Sequence, residues 1–513
     1  MTRKEGLWWG SIFLVIWMGR SEVLLVQRPW WVPLGIGASL ILYSYFKFNL
    51  HTFLKIGLAL IFLGNDYLLF VYSVSLVPVL LLLKSRAGFV IAGPQRWIST
   101  LLVWCFVSYV FSQYIESNLG AFWFYAITFA SPMVLFSIAV QFGRRGDGVQ
   151  NLCRFLMACL LLQSAFIAYA GFAWGLSSTP GDWAVGSLGQ PDISFLFAGG
   201  FLFVVAIQIL RRFPRGSKFG DRNFRRYLAL AGWLALMLYL TYTRVLNYSL
   251  LIALAVGLPS LVLVRRVRPF LKRGQLILGG CVLAGVGFML IYTLLTVPST
   301  TFGATYTIYA THPEYNHKFV FLKRALSEIP DEFGTGLTGT GPGTVGSRAA
   351  NSRAYDTLFK LYGARLPSFI PPFTSEPAKK YFVDLYQEDF VSKWWKSQTL
   401  AAPFSSLITL LVELGLIGIG LFLCLIVALL SSFLRLASRD SDPFFRALGI
   451  TLYFVTLTIF VASLFDTYLE RPLIMGPYWI VAGLAVGRLR AIRQQSVSAG
   501  HLIEASGSAG NAS

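Results

Sequence analysis

Stretches of about twenty nearly unbroken apolar residues recur from one end of this chain to the other. A helix needs roughly that length to cross the hydrocarbon core of a bilayer. The stretches fall at 7–20, 31–46, 50–64, 67–83, 97–113, 119–141, 152–176, 193–210, 227–243, 245–264, 275–296, 402–432, 447–465 and 473–487. That makes about fourteen spans, the first four of them short enough to merge or re-enter. Backbone polar groups in lipid must be satisfied inside the element itself, so such a chain folds as a bundle of helices. The expectation is an all-α polytopic membrane protein. The composition agrees, with 56% hydrophobic and 13% charged residues, where soluble domains carry about a quarter charged.

Orientation follows from lysine and arginine, which concentrate in cytoplasmic loops. The segments 211–226 (RRFPRGSKFGDRNFRR) and 265–273 (RRVRPFLKR) anchor that side. Alternating from them places 28 of the 43 basic residues inside, four (Arg20, Arg28, Arg244 and Arg471) in short outer connections, and eleven in one long loop. The predicted organisation is transmembrane helices 1–11 over 1–296 and a large, partly helical extracytoplasmic loop over 297–401. Helices 12–14 follow over 402–493, then a disordered tail over 494–513, with both termini cytoplasmic. The basic start, Met1-Thr-Arg-Lys, reads as an uncleaved first helix, since no small-residue cleavage site precedes Arg20. The net charge of +20 is then a topogenic and lipid-headgroup signal rather than a nucleic-acid footprint. All five cysteines (Cys105, Cys153, Cys159, Cys281, Cys424) fall in spans, so no disulfide framework is expected. The four histidines lack ligand spacing, so no metal site is expected either.

Four places on the outer face carry chemical information. Arg244 sits where one helix turns directly into the next. A guanidinium at membrane depth is costly and usually faces a cavity or partner, and its planar fork suits phosphate; snorkelling to the headgroups is the ordinary alternative. The loop 177–193 (SSTPGDWAVGSLGQPDI) ends in Pro191 and Asp192, a helix start that caps free N–H groups and can also meet a sugar hydroxyl. The long loop holds a helical stretch (Phe319, Val320, Leu322, Ala325, Leu326, Ile329) with His317, Lys318, Lys323 and Arg324, ended by Pro330. A run of glycines and threonines, GTGLTGTGPGTVGSRAANSR, comes next. It lacks the GK[ST] of a nucleotide P-loop and reads as a flexible anion- or sugar-binding surface with Arg348 and Arg353. The aromatic and acidic remainder, with Trp394 and Trp395, fits either carbohydrate or the membrane interface. Lastly, Glu413 is an intramembrane carboxylate, functional by default, or else the structural partner of an arginine.

The order of these features resembles the O-antigen ligase/polymerase superfamily of bacterial envelope glycosyltransferases. A Gly-x-x-x-x-Pro turn (Gly186 to Pro191) enters a helix, and Thr243-Arg244 ends another. A basic amphipathic stretch leads to Gly-x-Gly-Pro-Gly (Gly339 to Gly343), and the next helix reads L-x-E-x-G-L-I-G (Leu411 to Gly418). The likeness covers roughly 150–430. It implies transfer of a glycan from an undecaprenyl-pyrophosphate carrier to the hydroxyl of an acceptor glycan, at the outer face of the bacterial inner membrane. No cofactor or metal is implied, and a chain-length regulator is an implied partner. Arg244 matches the family arginine thought to engage the pyrophosphate. Ligases carry a His-Asn pair where this chain has Phe404 and Ser405, and Lys318 stands near a family arginine. The missing histidine favours a Wzy-like polysaccharide polymerase over an O-antigen ligase or O-oligosaccharyltransferase.

On that reading Arg244, Arg348, Arg353, Lys323 and Arg324 are the outer cations available to a pyrophosphate leaving group. Asp192, Glu413 and His317 are the weak candidates for a base. A lipid-linked oligosaccharide flippase would call for repeats and midplane charges, whereas the charges here gather outside. A peptidoglycan-type glycosyltransferase would call for a loop carboxylate, for which Asp384, Glu388 and Asp389 are available.

Overall fold

The computed structural model describes residues 54–58, 93–115, 119–143, 146–174, 196, 198–202, 204–205, 222–240, 244–263, 317–347, 350, 374–381 and 405–510. These residues are overwhelmingly helical, with no strand among them. In chain order the helices are α1 (Gly93–Phe111), α2 (Leu119–Gly143, with a π-turn at Ala126–Ala130), α3 (Gly146–Trp174), α4 (Arg222–Leu240) and α5 (Arg244–Leu263). Then come α6 (residues 317–333), α7 (Glu376–Tyr381), α8 (Ser406–Arg439), α9 (Pro443–Ala462) and α10 (Pro472–Gly510). Among the described residues, α2, α8 and α9 are long and apolar enough to cross a membrane. The expected spans before residue 84 and at 275–296 lie outside the described residues, apart from 54–58.

Small residues let the helices touch backbone to backbone. Gly483 and Gly487 of α10 are spaced G-x-x-x-G, the pattern by which membrane helices approach closely. A Cβ at Gly487 would lie 2.3 Å from the Val140 carbonyl of α2, and one at Gly143 would lie 2.2 Å from the Leu484 carbonyl. Gly449 brings α9 against Phe433 and Ala437 of α8 in the same way. Phe136 and Trp479 meet edge to face in this seam, ring centroids 5.8 Å apart. Lipid tails are as apolar as leucine, so this close packing supplies what the hydrophobic effect cannot.

The two ends of the bundle differ. At one, Arg488 pairs with Asp440 at 2.8 Å and lies over the Phe445 ring, and Asp442 caps α9 by accepting from the Phe444 N–H. This is the end expected from the sequence to face the cytoplasm. At the other, Ser405 caps α8, accepting from the Ile408 N–H at 3.3 Å and donating to the Ser463 carbonyl at 2.8 Å. The turn between α9 and α10 lies there too: Ser406 N–H donates to the Asp466 carbonyl, and Arg471 pairs with Asp466 at 3.0 Å while covering Tyr468.

Two local readings of the sequence need correction. Pro330 does not end α6. A π-turn at Arg324–Glu328 shifts the hydrogen-bond ladder just before it, and the helix runs on to Phe333, where Gly334 closes it at φ 63°. Residues 494–510, expected to be disordered, continue α10 to Gly510. Extending an existing helix avoids the cost of a new nucleus.

Candidate functional site

The helix α8 is not continuous. It is helical to Leu414, breaks at Gly415 (φ 69°, ψ −174°), and resumes to Arg439. A break within a membrane-spanning helix frees backbone groups that lipid cannot satisfy, so something else has to. The glycine-rich segment 334–347 does. Thr340 N–H donates to the Val412 carbonyl at 2.8 Å and Gly341 N–H to the Glu413 carbonyl at 3.0 Å. In the other direction, Leu416 N–H donates to Gly336 at 3.0 Å and Ile417 N–H to Leu337 at 3.4 Å. From α1, the Trp104 indole N–H donates to the Leu414 carbonyl at 2.8 Å, and the Ser108 hydroxyl to Thr338 at 2.8 Å and Glu413 at 3.1 Å.

Glycine is required on both sides of this contact. Gly339, Gly341 and Gly343 all have positive φ, at 81°, 99° and 77°. A Cβ at Gly339 would sit 2.2 Å from the Glu413 carbonyl, and one at Gly415 would sit 2.2 Å from the Leu337 carbonyl. The Gly339–Gly343 motif and the Leu411–Gly418 motif, about seventy residues apart, are thus two halves of one unit.

At its centre lies Glu413, 0% exposed. Gly343 N–H donates to Oε2 at 2.8 Å, while Val345 and Ser347 N–H donate to Oε1 at 2.9 and 3.2 Å. Alternate backbone N–H groups here converge on one carboxyl, in the manner by which phosphate loops hold an anion. The sequence pattern was anion-cradling in kind, but the group it holds is the protein's own Glu413 carboxyl. Glu413 is therefore buried and braces the loop against α8. The loop is also buried rather than a flexible surface, because its N–H groups point at that carboxylate. Thr340 and Thr344 hydroxyls bond each other at 2.8 Å, and Ser375 donates to the Thr344 carbonyl at 2.5 Å, tying in the start of α7.

The remaining predicted residues separate clearly. Arg244 opens α5 and α4 ends at Leu240, the three residues between them lying outside the described residues. His317 and Lys318 open α6. Lys323 is 77% exposed and 3.5 Å from Glu328. Arg324 donates to the Tyr381 carbonyl at 2.5 Å, so it ties α6 to α7, a structural use that substrate binding did not anticipate. Asp192, Arg348, Arg353, Trp394 and Trp395 lie outside the described residues. So do Asp384, Glu388 and Asp389.

Beside Arg324, Lys380 pairs with Glu332 at 2.6 Å, and the Tyr381 hydroxyl donates to the same carboxylate. The hydrogen bond from Lys380, then that from Tyr381, holds the Glu332 carboxyl below its ordinary range. The same contact raises Lys380 above its own.

Sequence reasoning overlooked several neighbours. Glu470, 1% exposed on the turn before α10, lies within electrostatic reach of Glu413. Tyr125, at the start of the π-turn in α2, is buried nearby. The signal for Glu470 was the crowding of Asp466, Glu470 and Arg471 into a short turn between apolar helices. Trp104 and Ser108 carried the four-residue spacing that puts them on one face of α1. The chain matches no protein-family model, and no curated protein matches it.

Proposed function

We propose that this chain is a polysaccharide polymerase of the bacterial cytoplasmic membrane. It would transfer a glycan from an undecaprenyl-pyrophosphate carrier to the hydroxyl of an acceptor glycan at the outer face. The observation that supports the reading is the union of the two motifs: the glycine loop is pinned on Glu413 through Ser347, the residue that precedes Arg348 in the sequence. The sequence topology sets that point and Arg244 on the same side of the membrane. Lipid pyrophosphate is a good leaving group, so catalysis needs fixed cations on its developing charge and an oriented hydroxyl more than it needs a strong base. Arginine serves because it cannot lose its proton and grips oxyanions with two parallel bonds. The absence of a His-Asn pair at Phe404–Ser405 supports polymerisation over ligation, since Ser405 serves as the cap of α8.

A transporter of lipid-linked oligosaccharides is the second reading, because broken helices are a common transporter device. In such proteins the freed backbone groups meet an ion or substrate. Here the carbonyls of Val412, Glu413 and Leu414 and the N–H groups of Leu416 and Ile417 are taken by the protein itself, which favours the enzyme.

The test uses the full chain in proteoliposomes with an undecaprenyl-pyrophosphate-linked oligosaccharide. Wild type should build products of many repeats, and Arg244→Ala and Arg348→Ala should leave single repeats at unchanged protein level. Normal chain length in Arg244→Ala would overturn the site. Movement of the substrate between leaflets without any polymer would favour the transporter.

A further inference from the structure

A second site lies away from the glycine loop, with its charged mouth at the other end of the bundle. Between α3, the helical residues 196, 198–202 and 204–205, α9 and α10 there is a cavity of about 230 Å³ with an almost wholly apolar wall. Its wall on α9 runs from Phe444 through Leu448 and Leu452 to Ile459, about 22 Å along the helix axis. The opening is a groove rather than a sealed void, since Phe201, Val455 and Val481 are only half-buried. Gly200 keeps one wall low: a Cβ there would stand 3.6 Å from Val455 and 3.8 Å from Thr451, ordinary contact distances.

Two polar features break the apolar lining. Arg154, at the end near Phe444, is exposed and has no ion pair among the described residues. Thr451 is buried within the wall, and its hydroxyl has no hydrogen-bond partner among the described residues. The bond from the Trp233 indole to the Ser164 hydroxyl, 2.6 Å, fixes α4 against α3. With both helices rising from the basic end, Arg222, Arg225 and Arg226 then stand level with Arg154, and all three are exposed. A slot for one hydrocarbon chain, a hydroxyl part-way along it and a cationic mouth describe a lipid with an anionic headgroup.

We propose that this groove holds one acyl chain of an anionic phospholipid, with its headgroup phosphate on Arg154. The guanidinium takes the phosphate oxygens bidentately, and the chain fills the wall between α3 and α9. The Thr451 hydroxyl donates to an ester oxygen of the same lipid. This site is independent of the glycosyl-transfer reading: its charge lies at the opposite end of the bundle from the glycine loop.

The experiment is native mass spectrometry of the full-length protein in mild detergent, with added dioleoyl phosphatidylglycerol or dioleoyl phosphatidylcholine. Wild type should retain one phosphatidylglycerol in preference to phosphatidylcholine. Arg154→Gln should weaken that retention about fivefold, as expected for losing one basic contact to an anionic headgroup, and Arg154→Lys should restore part of it. Gly200→Leu should fill the groove and abolish retention of either lipid. Val455→Phe does the same from the facing helix and serves if Gly200→Leu does not yield monodisperse protein. Equal retention in wild type and both groove-filling variants would overturn the proposal. Equal retention of the two lipids, indifference to Arg154→Gln, or a co-purified polyprenyl phosphate in the groove would overturn it as well.

Discussion

The N–H of Gly343 donates to the carboxylate of Glu413 across 2.8 Å, joining a loop to a broken helix about seventy residues further along the chain. Val345 and Ser347 complete the grip on the same side chain. Removing the acceptor therefore strands buried donors, each costing about 1–3 kcal/mol. Glu413→Ala should lower the melting temperature in detergent sharply, and Glu413→Gln should lower it by less, because an amide oxygen still accepts from Val345 and Ser347. Limited proteolysis within 334–347 should accelerate in the same order. A melting temperature for Glu413→Ala equal to wild type would show that the carboxylate does not hold the loop.

Two glycines in α8 make opposite predictions. Gly415 adopts φ 69°, and a Cβ there would meet the Leu337 carbonyl at 2.2 Å, so Gly415→Ala should destabilise the protein and open the loop contact. Gly420 lies five residues on, and a Cβ there would have open space for 4 Å around it, so Gly420→Ala should be neutral or raise stability by up to about 1 kcal/mol. Thermal unfolding of the two variants in parallel checks this. Similar losses from both would mean the break at Gly415 is not fixed by the loop.

That the described residues form mostly long apolar helices was legible because length and apolarity alone decide it. The break in α8 was not. Glycine is frequent in membrane helices, and nothing near Gly415 announces a partner that lies before the helix in sequence. Glu413 stood out as an intramembrane carboxylate, but the expected partner was an arginine. Backbone N–H groups carry no side-chain signature, so the three that hold it could be found only once the loop was folded. The Gly483–Gly487 spacing was present in the sequence and went unread, hidden inside an ordinary apolar span.

Docking of α7 on α6 should depend on pH through the Glu332–Lys380–Tyr381 cluster. Glu332 is depressed in the folded state, so its contribution is present above the ordinary carboxylate range and is lost as pH falls through its lowered value. Lys380 and Tyr381 are raised, so theirs is full below the ordinary lysine and tyrosine ranges and is lost as pH rises through the raised values. The contact should hold from about pH 5 to about pH 9 and loosen on either side. Fluorescent probes at Asp331 and Lys379 report the separation. Glu332→Gln should remove the acid limb, and salt should weaken the wild-type contact because the pair is exposed. An acid limb unchanged in Glu332→Gln would assign it to another group.

The glycine loop and the proposed reaction can be separated by a double-mutant cycle. If Glu413 acts only by holding the loop that leads to Arg348, then Glu413→Gln and Arg348→Ala remove the same contribution to glycan polymerisation by different routes. Residues that act through one another are non-additive, whereas independent sites add to within a few tenths of a kcal/mol. The double variant should therefore polymerise no worse than Arg348→Ala alone, although it should melt at the lower temperature of Glu413→Gln. Additive losses of activity would mean that Glu413 contributes to the reaction by a route other than the loop.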